Sequence, residues 1–168
     1  DFEGKELWTH KWTPFGRHHA RAHEPILHDG MVIVAHTPKY DLPIEATTKA
    51  GSKALGRGKE YWNFLRAYDL KTGKLVWQAD AGTSVHSTSM LGQLSKGKQT
   101  ILTGRGGGHQ PPEEPYGLSM LDVTSGKSIW DMSIKGYPAA QNATWSKDEV
   151  HFFVGSMHQS YSSRTSKM

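Results

Sequence analysis

The chain has 168 residues, with hydrophobics at 36% and aromatics at 10%, enough to bury the core of one domain. Twenty Lys and Arg against 16 Asp and Glu leave a net charge of +4, only a weak pull on acidic partners. The absence of cysteine excludes disulfide staples, thiolate-ligated zinc and thiol nucleophiles, and no run of about 18 apolar residues is present to form a spanning helix.

Taken in order, residues 5–12 (KELWTHKW) read as a strand that closes a unit, and 13–23 as a connection. Glu24–Ala35 reads as two short strands around Asp29-Gly30, a two-residue hairpin signal. Residues 36–60 form a polar insertion in which Pro38 and Pro43 discourage regular structure, with room for a short helix near Ala46–Leu55. Lys49, Lys53, Arg57 and Lys59 gather in this insertion without interleaved aromatics before Tyr61 and Trp62. A solvated loop accounts for them, and nucleic acid is not an expected partner. Residues 61–70 and 74–80 supply a third and a fourth strand.

The same order then returns. Val85–Leu94, Gln99–Thr103, Gly117–Val123 and Lys127–Ile134 read as four strands, with Gly104–Pro115 as a Gly- and Pro-rich loop. Ala143–Trp145 and Val150–Gly155 start a third round, joined at 147–149, and a polar tail is expected over 157–168.

One phrase recurs through this layout. Its fullest copy runs Ala67-Tyr68-Asp69-Leu70-Lys71-Thr72-Gly73-Lys74-Leu75-Val76-Trp77. The others are Leu121-Asp122-Val123-Thr124-Ser125-Gly126-Lys127-Ser128-Ile129-Trp130 and Asp1-Phe2-Glu3-Gly4-Lys5-Glu6-Leu7-Trp8. In each, Lys follows Gly and Trp stands four residues after the Gly. A strand arrives, Asp69 or Asp122 bonds back onto the turn, Gly4, Gly73 or Gly126 supplies positive φ, and a second strand leaves with the Trp. A hairpin of this kind cannot bury its apolar face alone, so its repetition predicts stacked units.

The phrase resembles the tryptophan-docking motif of the PQQ-like (quinoprotein-type) β-propellers, Ala-x-Asp-x-x-Thr-Gly-x-x-x-Trp. Residues 67–77 match every fixed position; the second copy has Met120 for the Ala and Ser125 for the Thr. The resemblance implies an all-β propeller of four-stranded antiparallel blades. On that reading, 1–12 is a trailing strand, 24–80 and 83–134 are full blades, 140–156 opens the next, and 157–168 is a tail. Trp8, Trp77 and Trp130 would then occupy equivalent interblade positions. Closed rings need about four to eight blades, so two blades plus remnants are expected to pair with the remaining blades of the same ring or with further copies of the chain.

The family holds two functional classes. Quinoprotein alcohol dehydrogenases bind PQQ with calcium and carry a pair of adjacent cysteines, which this chain lacks. Cofactor-free members are binding scaffolds, such as the outer-membrane-protein assembly lipoprotein of bacteria. The expectation is the second class: a non-catalytic scaffold for a protein or glycan ligand, without a cofactor and in a periplasmic or secreted setting. The alternative is part of a PQQ- and metal-dependent dehydrogenase whose catalytic residues lie mainly elsewhere.

Blade topology places the Asp-Gly-Lys turns on one side and the loops bearing His18, His19, His23, His36, His86, His109 and His158 on the other. The entries to successive first strands put His23, His86 and Gln141 at equivalent positions around the channel, either as a polar ring that holds a ligand, anion or metal ion, or as the wall of a water-filled channel. Arg105 and His109 are candidate ligand contacts on the rim. The run Gly104–Gly108 is not a phosphate loop, because no Gly-Lys-Ser/Thr ending follows and Pro111-Pro112 bars a helix there. Glu113-Glu114 are mere neighbours, and no nucleophile elbow or His-Glu-x-x-His helix is present.

Overall fold

The computed structural model describes residues 2–11, 24–36, 64–83, 88–106, 117–133, 144–154 and 157–162, and all the regular structure among them is β. The first sheet is the antiparallel series β1 (Ile26–His28), β2 (Met31–His36), β3 (Phe64–Asp69) and β4 (Leu75–Ala79), paired in chain order. Asp29 and Gly30 join β1 to β2 with φ of 44° and 72°, the left-handed pair that a two-residue hairpin demands.

The middle sheet comprises β5 (Gly82–Thr83), β6 (Met90–Gln93), β7 (Gln99–Gly106), β8 (Gly117–Asp122) and β9 (Ser128–Met132). Strands β6 to β9 form a four-stranded antiparallel series like the first sheet. Short β5 runs parallel to the far end of β7, with Gly82 opposite Arg105. The third sheet is β10 (Thr144–Ser146), β11 (Glu149–Val154) and β12 (Met157–Ser162), again antiparallel.

Strand alternation explains how the sheets stack. Neighbouring residues on β7 and β8 point to opposite faces. Ile101 and Leu121, with Val123 just beyond, pack against Met31, Ile33, Leu65, Ala67, Trp77 and Ala79 of the first sheet. Leu102, Leu118 and Met120, with Trp130, pack the other way against Val150 and Phe152 of the third. The middle sheet is therefore buried on both faces, which is why β8 reads GLSMLD and is buried at five of its six residues. The described sheets form a stack that is not closed on itself.

Three sequence expectations change. Gly104, Arg105 and Gly106 belong to β7 rather than to a loop, because Gly104 and Arg105 pair with Leu118 and Gly117 and the chain also meets β5 on its other side. The expected tail from 157 begins with a strand, since all six residues of β12 pair with β11. Residues 2–11 form no strand, and this segment meets the first sheet through the Trp8 and His10 side chains instead of a backbone ladder, although Gly4 keeps its turn conformation at φ 78°. The helix considered at Ala46–Leu55 lies outside the described residues.

Candidate functional site

The repeated phrase builds the same turn twice. Asp69 Oδ1 accepts from Thr72 N (2.7 Å), Thr72 Oγ1 (2.6 Å) and Lys71 N (3.2 Å), while Gly73 N donates to Asp69 O at 2.8 Å. Asp122 Oδ1 accepts from Ser125 N (3.0 Å), Ser125 Oγ (2.9 Å) and Thr124 N (3.1 Å), and Gly126 N donates to Asp122 O at 2.8 Å. Ser and Thr are interchangeable here because the turn uses only the hydroxyl. The hydrogen bonds from the Thr72 side chain and backbone hold the Asp69 carboxyl below its ordinary range. At Asp122 burial pushes the other way, and the bonds from Ser125 and the ion pair with Lys98 (3.3 Å) outweigh it, so the net direction is again down.

Each finished turn receives an indole from the preceding unit. Trp8 lies on Gly73 and Trp77 lies on Gly126, so closely that a Cβ on those glycines would come within 2.6 Å and 2.5 Å of a ring carbon. Trp8 Nε1 donates to Leu70 O at 3.0 Å and Trp77 Nε1 to Val123 O at 3.1 Å, in both cases the residue after the turn Asp. The N-terminal segment adds His10, whose Nε2 is 2.7 Å from Gly73 O and whose ring centroid is 4.6 Å from that of Tyr68. Trp77 and Trp130 are both 7% exposed and each lies in one of the two inter-sheet cores.

The turns after first and third strands share one end of the stack, as the topology predicts. Leu70 N donates to Gly30 O at 2.8 Å in the first sheet, and Val123 N to Gln99 O at 3.4 Å in the middle one. A tie between sheets sits at this end as well: buried Asp148 accepts from Ser95 N (2.9 Å) and Ser95 Oγ (2.5 Å). His36 and His158 fall at strand ends on the opposite side.

Away from the turns, the middle sheet's face toward the first sheet turns polar. Beyond Ile101 and Leu121 come Thr103 and Ser119, which pair across β7 and β8 and are almost wholly buried. Ser89 Oγ is 2.8 Å from Thr103 Oγ1, and Ser119 Oγ donates to Asp131 Oδ1 at 2.6 Å. Arg105 follows, opposite Gly117, where a Cβ would collide with the Met132 carbonyl. Arg105 borders a cleft of about 360 Å³ between the sheets, with Gln78, Ala79 and Asp80 on the first sheet's side and Ser128 and Asp131 among the residues opposite. The Nε of Arg105 is buried and has no hydrogen-bond partner among the described residues.

Of the residues expected to hold a ligand, His23, His86, His109 and Gln141 lie outside the described residues, so their convergence is not part of this geometry. Arg105 is described, and it lines an inter-sheet cleft from within a strand rather than from a rim loop. The sequence reading missed Ser119, Asp131, Ser95 and Asp148. The Ser119–Asp131 pair forms only in the β8–β9 register, and Asp148 reads in the sequence as part of a generic turn; no spacing rule marks either. Among the described residues no cluster of His, Asp and Glu has the arrangement of a metal site. Among the described residues no helix is long and apolar enough to cross a membrane. Compared with known proteins, the chain matches no family model and no curated protein.

Proposed function

We propose that the chain forms blades of a PQQ-like β-propeller and acts as a non-catalytic binding scaffold, taking a protein or glycan ligand on the side opposite the Asp-Gly-Lys turns. The observation that carries this reading is the docking step, seen twice with equal offsets: Trp8 on the 69–74 turn and Trp77 on the 122–127 turn, each bonding the carbonyl after the Asp. Interlocking units of this kind make a rigid frame whose opposite strand ends are free to vary, the usual division of labour between scaffold and binding loops. The reading carries with it a periplasmic or secreted setting.

Reconstitution with PQQ and calcium separates the scaffold from a quinoprotein dehydrogenase. The scaffold reading expects no bound-quinone absorbance and no dye reduction with primary alcohols, together with saturable capture of a glycan or protein from a defined panel. Alcohol-dependent dye reduction that requires PQQ would replace it with the enzyme reading.

A further inference from the structure

We propose that residues 4–11 of one copy supply the fourth strand of the third sheet in a second copy, so that two chains close head to tail into one ring. The inference deepens the propeller reading and rests on it.

The third sheet repeats the first three strands of its neighbours. Lys147 turns β10 into β11 at φ 56°, as Asp29 turns β1 into β2 at φ 44°. Strand β12 then pairs with all six residues of β11, as β3 pairs with β2. The first and middle sheets each add a fourth strand, β4 or β9, on the far side of that third strand. Among the described residues no strand takes this place beside β12. Its edge therefore offers a row of backbone donors and acceptors to another strand.

Residues 4–11 are the converse, with the marks of a fourth strand and no sheet. Gly4 has φ 78°, against 69° at Gly73 and 68° at Gly126, and Trp8 follows it by four residues. Trp8 also docks as Trp77 does, on the glycine of the following turn and on the carbonyl after its Asp. Yet the segment pairs with no described strand. The register follows from the completed sheets. Tyr68 pairs with Leu75 and Leu121 with Ser128, each two residues after the glycine, while Ala67 and Met120 pair with the Trp. In β12 the matching positions, counted from the turn before β11, are Tyr161 and Ser160. That sets Tyr161 opposite Glu6, Ser160 opposite Trp8 and Gln159 opposite Thr9.

A second copy is the partner that fits both ends of this junction. Trp8 holds its segment on the first sheet, whereas β12 belongs to the third, and the middle sheet stands between them. A sheet that carried Trp8 as its fourth-strand indole would instead cover the outer face of the first sheet. That face bears an apolar rung of Leu27, Val32, Tyr68 and Leu75, in which Leu27 is 63% and Leu75 53% exposed. Its counterpart on the middle sheet, Ile101 with Leu121, is the rung that the first sheet buries. Three sheets from each of two copies make six, within the roughly four to eight units of closed rings.

Mass in solution and cysteine cross-linking test the junction on the whole protein, which has no cysteine of its own. Light scattering at micromolar concentration should give twice the 18.7 kDa of one chain. Thr9→Cys in one chain and Gln159→Cys in another, co-expressed, should form a disulfide between the two, because directly opposite residues bring their Cβ atoms within bonding reach. Thr9 is exposed, so its replacement leaves the fold intact. The mismatched pair, Thr9→Cys with Ser162→Cys, should cross-link more slowly by about tenfold or more. With both Thr9→Cys and Gln159→Cys in one chain, the disulfide should still join two chains. A single-chain mass, a series of larger open assemblies, a disulfide closed within one chain, or no preference for the Gln159 partner overturns the proposal. None of these outcomes bears on the scaffold reading, which fails instead on PQQ-dependent dye reduction.

Discussion

Gly126 carries two constraints at once. Its φ of 68° disfavours any side chain, and the Trp77 ring occupies the space a Cβ would need. Gly126→Ala should therefore cost more than the roughly 1–2 kcal/mol of a left-handed alanine. The excess should vanish in a Trp77→Ala background, so a double-mutant cycle by denaturant unfolding should show strong non-additivity. Additive effects would mean that the ring does not sit on the glycine.

The turn aspartates make a pH prediction with a definite sign. The Asp122 carboxyl titrates below its ordinary value of 3.8 in the folded chain. Its stabilisation is therefore complete above that ordinary value and is lost as pH falls through the lowered folded value. Thermal midpoints measured from pH 5 down to pH 2 should decline less steeply in Asp122→Asn, which keeps an acceptor but loses the charge. An equally steep decline would remove Asp122 from the acid response.

At the scale of strands and turns, the parts legible in the sequence were those whose cause is local. The Asp29-Gly30 hairpin and the 69–74 and 122–127 turns are written in residues two to five apart, so their positions and the strands on either side could be read directly. What failed was set by distant partners. Gly104-Arg105-Gly106 looks like a loop by composition, yet β8 and β5 hold it in a strand from both sides. The polar run after Gln159 looks like a frayed end, yet Ser160 to Ser162 pair with His151, Val150 and Glu149. Of the site, Arg105 was visible as a polar residue in a glycine-rich run, but Asp131 and Ser119 become neighbours only once β8 and β9 are in register.

The Asp148–Ser95 tie belongs to this scale too. It joins the first turn of the middle sheet to the first turn of the third, the same end at which Trp77 joins the first two sheets. Asp148→Ala should cost about 1.5–3 kcal/mol, the range for a hydrogen bond to a charged group. A cycle with Ser95→Ala should show coupling between the two residues; independent effects would contradict a direct tie.

Across the whole molecule, stability should behave as a chain of nearest-neighbour interfaces, each sheet held by the ones beside it. Trp77 is the largest side chain in the first interface, and Trp77→Ala should cost roughly 3–5 kcal/mol and loosen the first sheet from the other two. Hydrogen exchange should then speed up first in β1 to β4, while β7 and β8, packed on both faces, keep more of their protection.

The docking of Trp77 on Gly126 ties the first sheet to the middle one, with Trp8 on Gly73 as its counterpart from the N-terminal segment, and proton NMR reads both directly. An aromatic ring held face-on against a glycine shields its α-protons, so Gly73 and Gly126 should both resonate well upfield of ordinary glycines and show cross-relaxation to Trp8 and Trp77 respectively. Trp77→Ala should return Gly126 alone to its usual position and leave Gly73 shifted. Ordinary shifts for both glycines in the parent protein would contradict the docking and, with it, the proposal of repeated interlocking units.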